Sequence, residues 1–202
     1  MSSAVSSAPR GRPRSERSRL AILAATRATM AESRFQQVSM EGIAQRANVS
    51  KATIYRWWPS KAAVVLEALR DQGEAGGYPK FNRRGSTRRQ LVNELRGVID
   101  FYNSAAGRSF LDLIVESRFD PALADALREL FIMDRRKETA DIIADGMTTG
   151  EIRDGLDADT VMDAIWGAVY YKLLVSHTPI SRAYAEQLFS TFWPALAGPR
   201  SR

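Results

Sequence analysis

Apolar residues recur along this chain at helical spacing, and no stretch alternates as a half-buried strand would. Leu20, Leu23 and Met30 give an inward face to a helix expected over 15–33. Ile43, Ala44 and Ala47 make the stripe of a short helix behind Ser39, a good N-cap residue. Glu41 falls in its first turn, where the helix dipole favours an anion. The chain then turns at Asn48-Val49, and Asn is one of the few non-Gly residues that tolerate left-handed backbone. Ser50 caps a second short helix running through Trp57, and Pro59 stops it. Ser60 caps a third, from 61 to about 72, with Val64, Val65, Leu66 and Leu69 apolar. Residues 73–85, GEAGGYPKFNRRG, read as a loop, and the domain boundary is placed just before it.

Beyond that loop a helix is expected over 86–106, with Leu91, Leu95, Val98, Ile99 and Tyr102 inward and Gly107 as its breaker. A short helix follows over 109–119. Asp120-Pro121, an N-cap followed by Pro at the first helical position, opens a helix that continues to about 148 and is closed by Gly150. A loop fills 149–157. In the next helix, 158–176, only Asp163 and Lys172 are charged between Val161 and Val175, and no polar arc remains. A helix apolar all round must be covered on more than one side. It is either a central core helix or one shared between its own core and a second subunit. The last helix, 181–196, is amphipathic, with Tyr184, Leu188, Phe192 and Ala195 in a stripe and Phe189 and Leu196 beside it. Pro194 removes one backbone bond and is expected to bend the last turn. The expected fold is all-α, with about nine helices. It divides into an arm at 1–14, a helix-turn-helix unit with its connecting helix at 15–72, and a helical domain at 73–202.

The helix after the turn has two faces. Val49, Ile54 and Trp58 are spaced to pack inward, which leaves Lys51, Ala52, Thr53, Tyr55, Arg56 and Trp57 outside, behind the capping Ser50. A small, polar N-terminal half suits a helix that enters the DNA major groove. Tyr55, Trp57 and then Lys61 supply donors that can reach phosphates. The competing reading is an ordinary helix pair with a basic rim.

Charge placement bears on that choice. Of the formal net charge of +6, residues 1–61 hold 11 Lys/Arg against 3 Asp/Glu, and the remainder holds 18 against 20. The basic excess gathers on the helix-turn-helix segment and points to a polyanionic partner. Residues 1–14, MSSAVSSAPRGRPR, are expected to be disordered when free. Within them Arg10-Gly11-Arg12-Pro13-Arg14 resembles the core of an AT-hook, in which Arg10, Arg12 and Arg14 would lie along a narrow minor groove. The alternative is a merely basic tail.

Several chemistries find no support. With no Cys there are no disulfides and no thiolate ligands, as suits a reducing cytoplasm. His177, the one histidine, sits beside Thr178-Pro179 and reads as a surface cap rather than a general base. No His or Cys cluster offers a transition-metal site, and Gly73–Gly77 has no phosphate-binding pattern. Asp141, Asp145, Glu151 and Asp154 read as solvated acids. Leu20–Ala25 is too short for a signal segment, and no apolar run reaches the roughly 18 to 20 residues of a membrane span. The expectation is a cytoplasmic protein without enzymatic activity, metal, cofactor or membrane contact.

From Ile22 the chain reads ILAATRATMAESRFQQVSMEGIAQRANVSKATIYRWWPSKAAVVLEAL. This resembles the N-terminal domain of the TetR family of bacterial transcription regulators over about 50 of the 202 residues. The matching positions are Ile22-Leu23, Ala25, Met30, Phe35, Val38, Ile43-Ala44, Ala47, Val49-Ser50, Ile54-Tyr55, Trp58, Lys61 and Leu66. Arg34 and Asn48 stand where the family usually has Gly, and Trp57 where it often has His. The resemblance implies a homodimeric one-component regulator, expected to be a repressor, on a palindromic double-stranded operator. A small-molecule effector would release it. Tyr102, Phe110, Phe131, Trp166 and Tyr170 are candidates to line the effector pocket, or simply to fill core. The family builds its dimer from the last two helices, which here nominates Trp166, Tyr170, Leu174, Leu188, Phe189, Phe192 and Trp193. Two other readings stand beside it: a DNA-binding protein of the same fold without effector control, and a helical interaction module with a basic edge.

Overall fold

The computed structural model describes residues 12–71 and 81–199, and the chain divides into two compact units at Asp71/Gln72. The fold is all-α. Among the described residues there is no strand, only an isolated bridge between Ile152 and Ala197.

The first unit contains α1 (Arg12–Glu32), a 3-10 turn (Phe35–Gln37), α2 (Met40–Ala47), α3 (Lys51–Tyr55) and α4 (Lys61–Arg70). The first helix starts at Arg12 rather than at 15, so part of the expected arm is helical. Pro13 is tolerated there because the first turn leaves backbone N–H groups without helical partners anyway. Residues 1–11, Arg10 among them, and the side chains of Arg12 and Arg14 lie outside the described residues. Ile22, Leu23, Ile43, Ile54, Val64 and Val65 are fully buried, and Phe35 and Trp58 almost so. The caps follow from single side chains: Ser39, Ser50 and Ser60 accept from the backbone N–H groups of Gly42, Thr53 and Ala63. Arg34 is extended at φ −75°, so Gly is not required there. Asn48 is left-handed at φ 53°, ψ 48°, the conformation a turn of this tightness needs. α3 ends at Tyr55, two residues earlier than expected. Trp58 precedes Pro59, which disfavours helical backbone at the residue before it, and Arg56 and Trp57 form a turn.

The second unit contains α5 (Thr87–Asn103), α6 (Ala105–Glu116), α7 (Pro121–Leu127), α8 (Met133–Thr148), α9 (Ala158–Tyr170) and α10 (Arg182–Leu196). A π turn, Arg128–Ile132, joins α7 to α8 as one interrupted helix, and a second π turn, Tyr171–Val175, prolongs α9. Counted as continuous helices, the described residues hold nine.

The break between α5 and α6 is not at Gly107. It falls at Ser104, whose extended backbone (ψ 166°) ends one helix and whose hydroxyl accepts from Gly107 N to start the next. Gly107 lies inside α6 for a different reason: a Cβ there would stand 1.9 Å from the Phe101 carbonyl oxygen. The glycine lets α6 fold back against the last turn of α5. Polar links tie other elements together. Arg88 and Arg96 of α5 reach Glu186 of α10 at 3.1 and 2.8 Å, and Asp120 caps α7 by accepting from Leu123 N. The chain after α10 lies along the 150–152 loop, with Gly198 N donating to Glu151 O at 3.0 Å and Arg153 N to Leu196 O at 2.9 Å.

Gly107→Ala tests the close approach. A backbone carbonyl cannot move aside as a flexible side chain can, so overpacking should lower stability by at least the usual ~1–3 kcal/mol. Urea unfolding followed by circular dichroism should show the lowered midpoint.

Candidate DNA-binding and ligand-binding sites

α3 holds its neighbours' contacts on one side and bare side chains on the other. Ile54 and Trp58 are buried, while Lys51, Ala52, Tyr55, Arg56 and Trp57 are exposed and Thr53 is half-buried. The exposed face carries two cations, a phenol and an indole along one short segment. Thr53 is not idle: its hydroxyl lies 2.9 Å from that of Ser50, the capping residue. Lys51 pairs with Glu41 of α2, which holds the glutamate below its usual carboxylate range and raises the lysine. Both groups are fully exposed, so water and a polyanion can compete for the pair. Lys61 differs from the rest of the set. Its ammonium donates to the Phe35 carbonyl at 2.9 Å and lies 4.2 Å from the centre of the Phe35 ring. Its ammonium is engaged within its own domain.

What holds α3 in place is Trp58. Its indole N–H donates to Glu67 Oε2 of α4 at 2.6 Å, and Arg19 of α1 binds the other oxygen of the same carboxylate. One acid thus ties the chain after α3 to the two helices that carry it.

The second unit contains a pocket of about 230 Å³ lined by Phe131, Ile132, Arg135, Arg136, Trp166 and Tyr170. Phe131 and Ile132 come from the first π turn, the arginines from α8, and Trp166 and Tyr170 from α9. Behind the lining, Phe110 meets Phe131 at 5.1 Å between ring centres, and the Tyr102 and Tyr170 hydroxyls lie 2.8 Å apart. Burial holds the Tyr170 phenol above its usual range, although the Tyr102 hydrogen bond works the other way. Arg136 is committed to Asp159 and Asp163 at 2.6 and 2.8 Å. Arg135 is only 11% exposed; its Nε stands 3.5 Å from Glu94 Oε1, and its guanidinium packs 4.4 Å from the Phe81 ring centre. Glu94 accepts from the Thr139 hydroxyl at 2.8 Å. Burial pushes the Glu94 carboxyl up to about 7, against the opposing pull of Arg135 and Thr139.

The far side of α9 and its π extension is bare. Ala164, Gly167, Tyr171 and Val175 are exposed at steps of three or four residues, Tyr171 by 60% and Val175 by 61%. A Cβ built on Gly167 meets nothing within 4 Å. On α10, Thr191, Pro194 and Ala195 are exposed and Phe192 and Trp193 half-buried.

A family model described as "Bacterial regulatory proteins, tetR family" matches residues 22–68, and one described as "Tetracyclin repressor-like, C-terminal domain" matches residues 82–192. The HTH-type transcriptional regulator YdeS of Bacillus subtilis is 34% identical over 179 residues, 89% of each chain. The chain belongs to the TetR family. Among solved structures, the TetR family transcription regulator SCO0332 superposes with a TM-score of 0.70 at 30% identity, over 88% of this chain and 97% of that one. RolR, solved in complex with resorcinol, gives a TM-score of 0.65 at 15% identity over 91% and 89%, a likeness of fold alone.

As a TetR-family member the chain is a DNA-binding regulator of transcription, and the family's business is not catalysis. Of the five aromatic residues nominated for the pocket, Phe131, Trp166 and Tyr170 line the cavity, whereas Tyr102 and Phe110 are fully buried behind it. The reading missed Ile132, Arg135 and Arg136. The π turn inserts one residue into the helical repeat, so a 3.6-residue period carried through 121–148 cannot tell which side they occupy. The residues nominated for a dimer are placed differently from one another. Leu188 and Phe189 are 7% and 1% exposed in the single chain, packed in their own core, and Tyr170 and Trp166 face the pocket. The exposure of Tyr171 and Val175 accords with the missing polar arc of that helix.

Glu94 gives this unit a pH signature. Its folded carboxyl sits near 7 against an ordinary value of 4.5, so between those values the folded chain holds a proton that the unfolded chain has lost. Its contribution is intact below about pH 4.5 and is lost as pH rises toward 7, on the order of 3 kcal/mol in all. Glu94→Gln should flatten that fall, and urea unfolding of both proteins at about pH 5 and about pH 8 measures the difference.

Proposed function

We propose that this TetR-family regulator is a cytoplasmic homodimer that represses from a palindromic operator and leaves it when a small molecule enters the second unit. The observation that carries the reading is the two-sidedness of α9. Trp166 and Tyr170 line the cavity, while Ala164, Gly167, Tyr171 and Val175 stand exposed on another face of the same helix. A second copy of α9 and α10 covers that bare face, and a ligand in the cavity acts on a helix the dimer shares. RolR, with the same fold, holds resorcinol. A protein of this fold without effector control would have no use for an apolar cavity against its dimer helix.

DNA contact falls to α3. Thr53, near the helix start, reads a base edge, with Lys51 and Arg56 as longer readers and Ser50 and Ala52 close to the backbone. Tyr55 and Trp57 donate to phosphate. Two-fold symmetry puts two copies of α3 roughly 34 to 36 Å apart on one face of the duplex, or farther with added turns or bending. The arm at 1–14, with Arg10, Arg12 and Arg14, adds phosphate attraction beside these half-sites.

Footprinting on the DNA upstream of the gene should reveal a protected near-palindrome. Tyr55→Phe should weaken binding to every sequence alike, because it deletes one donor and keeps the ring. Thr53→Ala should instead change preference at one symmetric pair of positions, by about 1–3 kcal/mol. If neither variant altered binding in a folded protein, α3 would not be the reading element.

Tyr171→Glu addresses the dimer. The residue is mostly exposed in the single chain, so the fold should survive, but pairing would bury an unpartnered charge. Light scattering should report a monomer with unchanged helicity, and a stable dimer would place the seam elsewhere.

A further inference from the structure

The walls of the pocket specify its guest more closely than its presence does. At about 230 Å³ it is smaller than the ~300–1,000 Å³ sites that enclose drug-sized ligands, and it suits one or two rings. Phe131, Trp166, Tyr170 and Ile132 offer apolar, largely aromatic surface, suited to a flat ring. The polar groups are few and unequal. The Tyr170 hydroxyl shares a hydrogen bond with that of Tyr102, and Arg136 is paired with Asp159 and Asp163. Both of those acids are exposed, and no acid is among the lining residues. The remaining polar wall is Arg135, nearly buried, with its charge set against Glu94 at 3.5 Å. A cationic guest would meet two guanidinium groups, and a neutral acceptor would gain a weaker contact than a carboxylate.

We propose that the ligand of this pocket is a small aromatic carboxylate, its ring against Phe131, Trp166 and Tyr170 and its anion on the Arg135 guanidinium in competition with Glu94. This rests on the reading of the cavity as the effector site. The competition has a definite proton balance. Glu94 faces Arg135 and Thr139 of α8, with Glu138 of the same helix adding a like charge nearby. Those are the charged and hydrogen-bonding groups set against it. When the ligand's carboxylate takes the guanidinium, Glu94 loses its counterion in a buried site and takes up a proton from solvent. Its carboxyl already titrates near neutrality, so the exchange asks little at pH 7 and more as the pH rises.

The test uses the full-length protein with 2-naphthoate and its neutral isostere 2-naphthamide, read by quenching of Trp166 fluorescence and by calorimetry in two buffers of different ionisation enthalpy. Trp166→Phe identifies the quenched indole among the four tryptophans. The acid should bind at least about tenfold tighter than the amide, as a charge-assisted contact implies. Its affinity should fall between about pH 6 and about pH 8.5, approaching tenfold per unit above the Glu94 titration, with measurable proton uptake. The naphthoate carboxylate stays ionised throughout that range, so the slope belongs to the protein. Glu94→Gln should bind without the slope, and Arg135→Gln should lose the preference for acid over amide; circular dichroism checks both folds. Equal binding of acid and amide, no binding of either, or a slope that survives Glu94→Gln overturns the proposal. Operator release is measured separately. Naphthoate that binds with the stated pH dependence but leaves DNA bound would uphold the ligand class and overturn effector control. Naphthamide that binds equally well and releases DNA would do the reverse.

Discussion

The placement of α3 depends on one carboxylate. α3 spans five residues, far below the length at which a helix is stable by itself in water. Its shape is imposed from outside. Ser50 fixes its start, Asn48 fixes the angle of approach, and Trp58 fixes its end by driving an indole into the core and donating to Glu67. Glu67 is held in turn by Arg19. The exposed residues of α3 are therefore positioned by residues outside that face. Loss of Trp58 would scatter the face without touching any side chain on it.

The second unit is organised by a different device. Two π turns fall where helix meets pocket: Phe131 and Ile132 lie in one, and the other begins immediately after Tyr170. Each inserts a residue and rotates the helix beyond it. In the first, the rotation separates the side chains of α7 from those of α8, so that one interrupted helix supplies both core (Leu123, Leu127, Ile142, Ile143) and pocket wall. Irregular helix of this kind gathers at functional sites because it gives up regular hydrogen bonding to aim particular side chains.

These devices mark where the sequence was readable. Helix starts were legible because a cap is a local event: Ser39, Ser50, Ser60 and Asp120 each announce themselves by residue type, and each accepts the backbone N–H three residues on. The left-handed Asn48 was legible for the same reason. The break at Ser104 was not. Gly107 is the stronger breaker by propensity, but its lack of a side chain serves the packing of α6 on Phe101, and only the tertiary contact reveals that. The pocket arginines were hidden by the π turn, since a periodic reading assumes a constant repeat. The hold on Lys61 was not legible either, since the Phe35 ring and carbonyl that engage it lie 26 residues away.

α9 shows why pocket and outer face are hard to separate. Its apolar residues serve three neighbours at once: Val161, Met162, Ile165 and Val169 in the core, Trp166 and Tyr170 at the pocket, and Ala164, Gly167, Tyr171 and Val175 toward the outside. A close-packed helix cannot shift on one side alone, because interiors transmit displacement rather than absorb it. Gly167 and Ala164 leave the outer face shallow. The same absence of a polar arc that made this helix ambiguous in sequence lets it meet core, pocket and outer face at once.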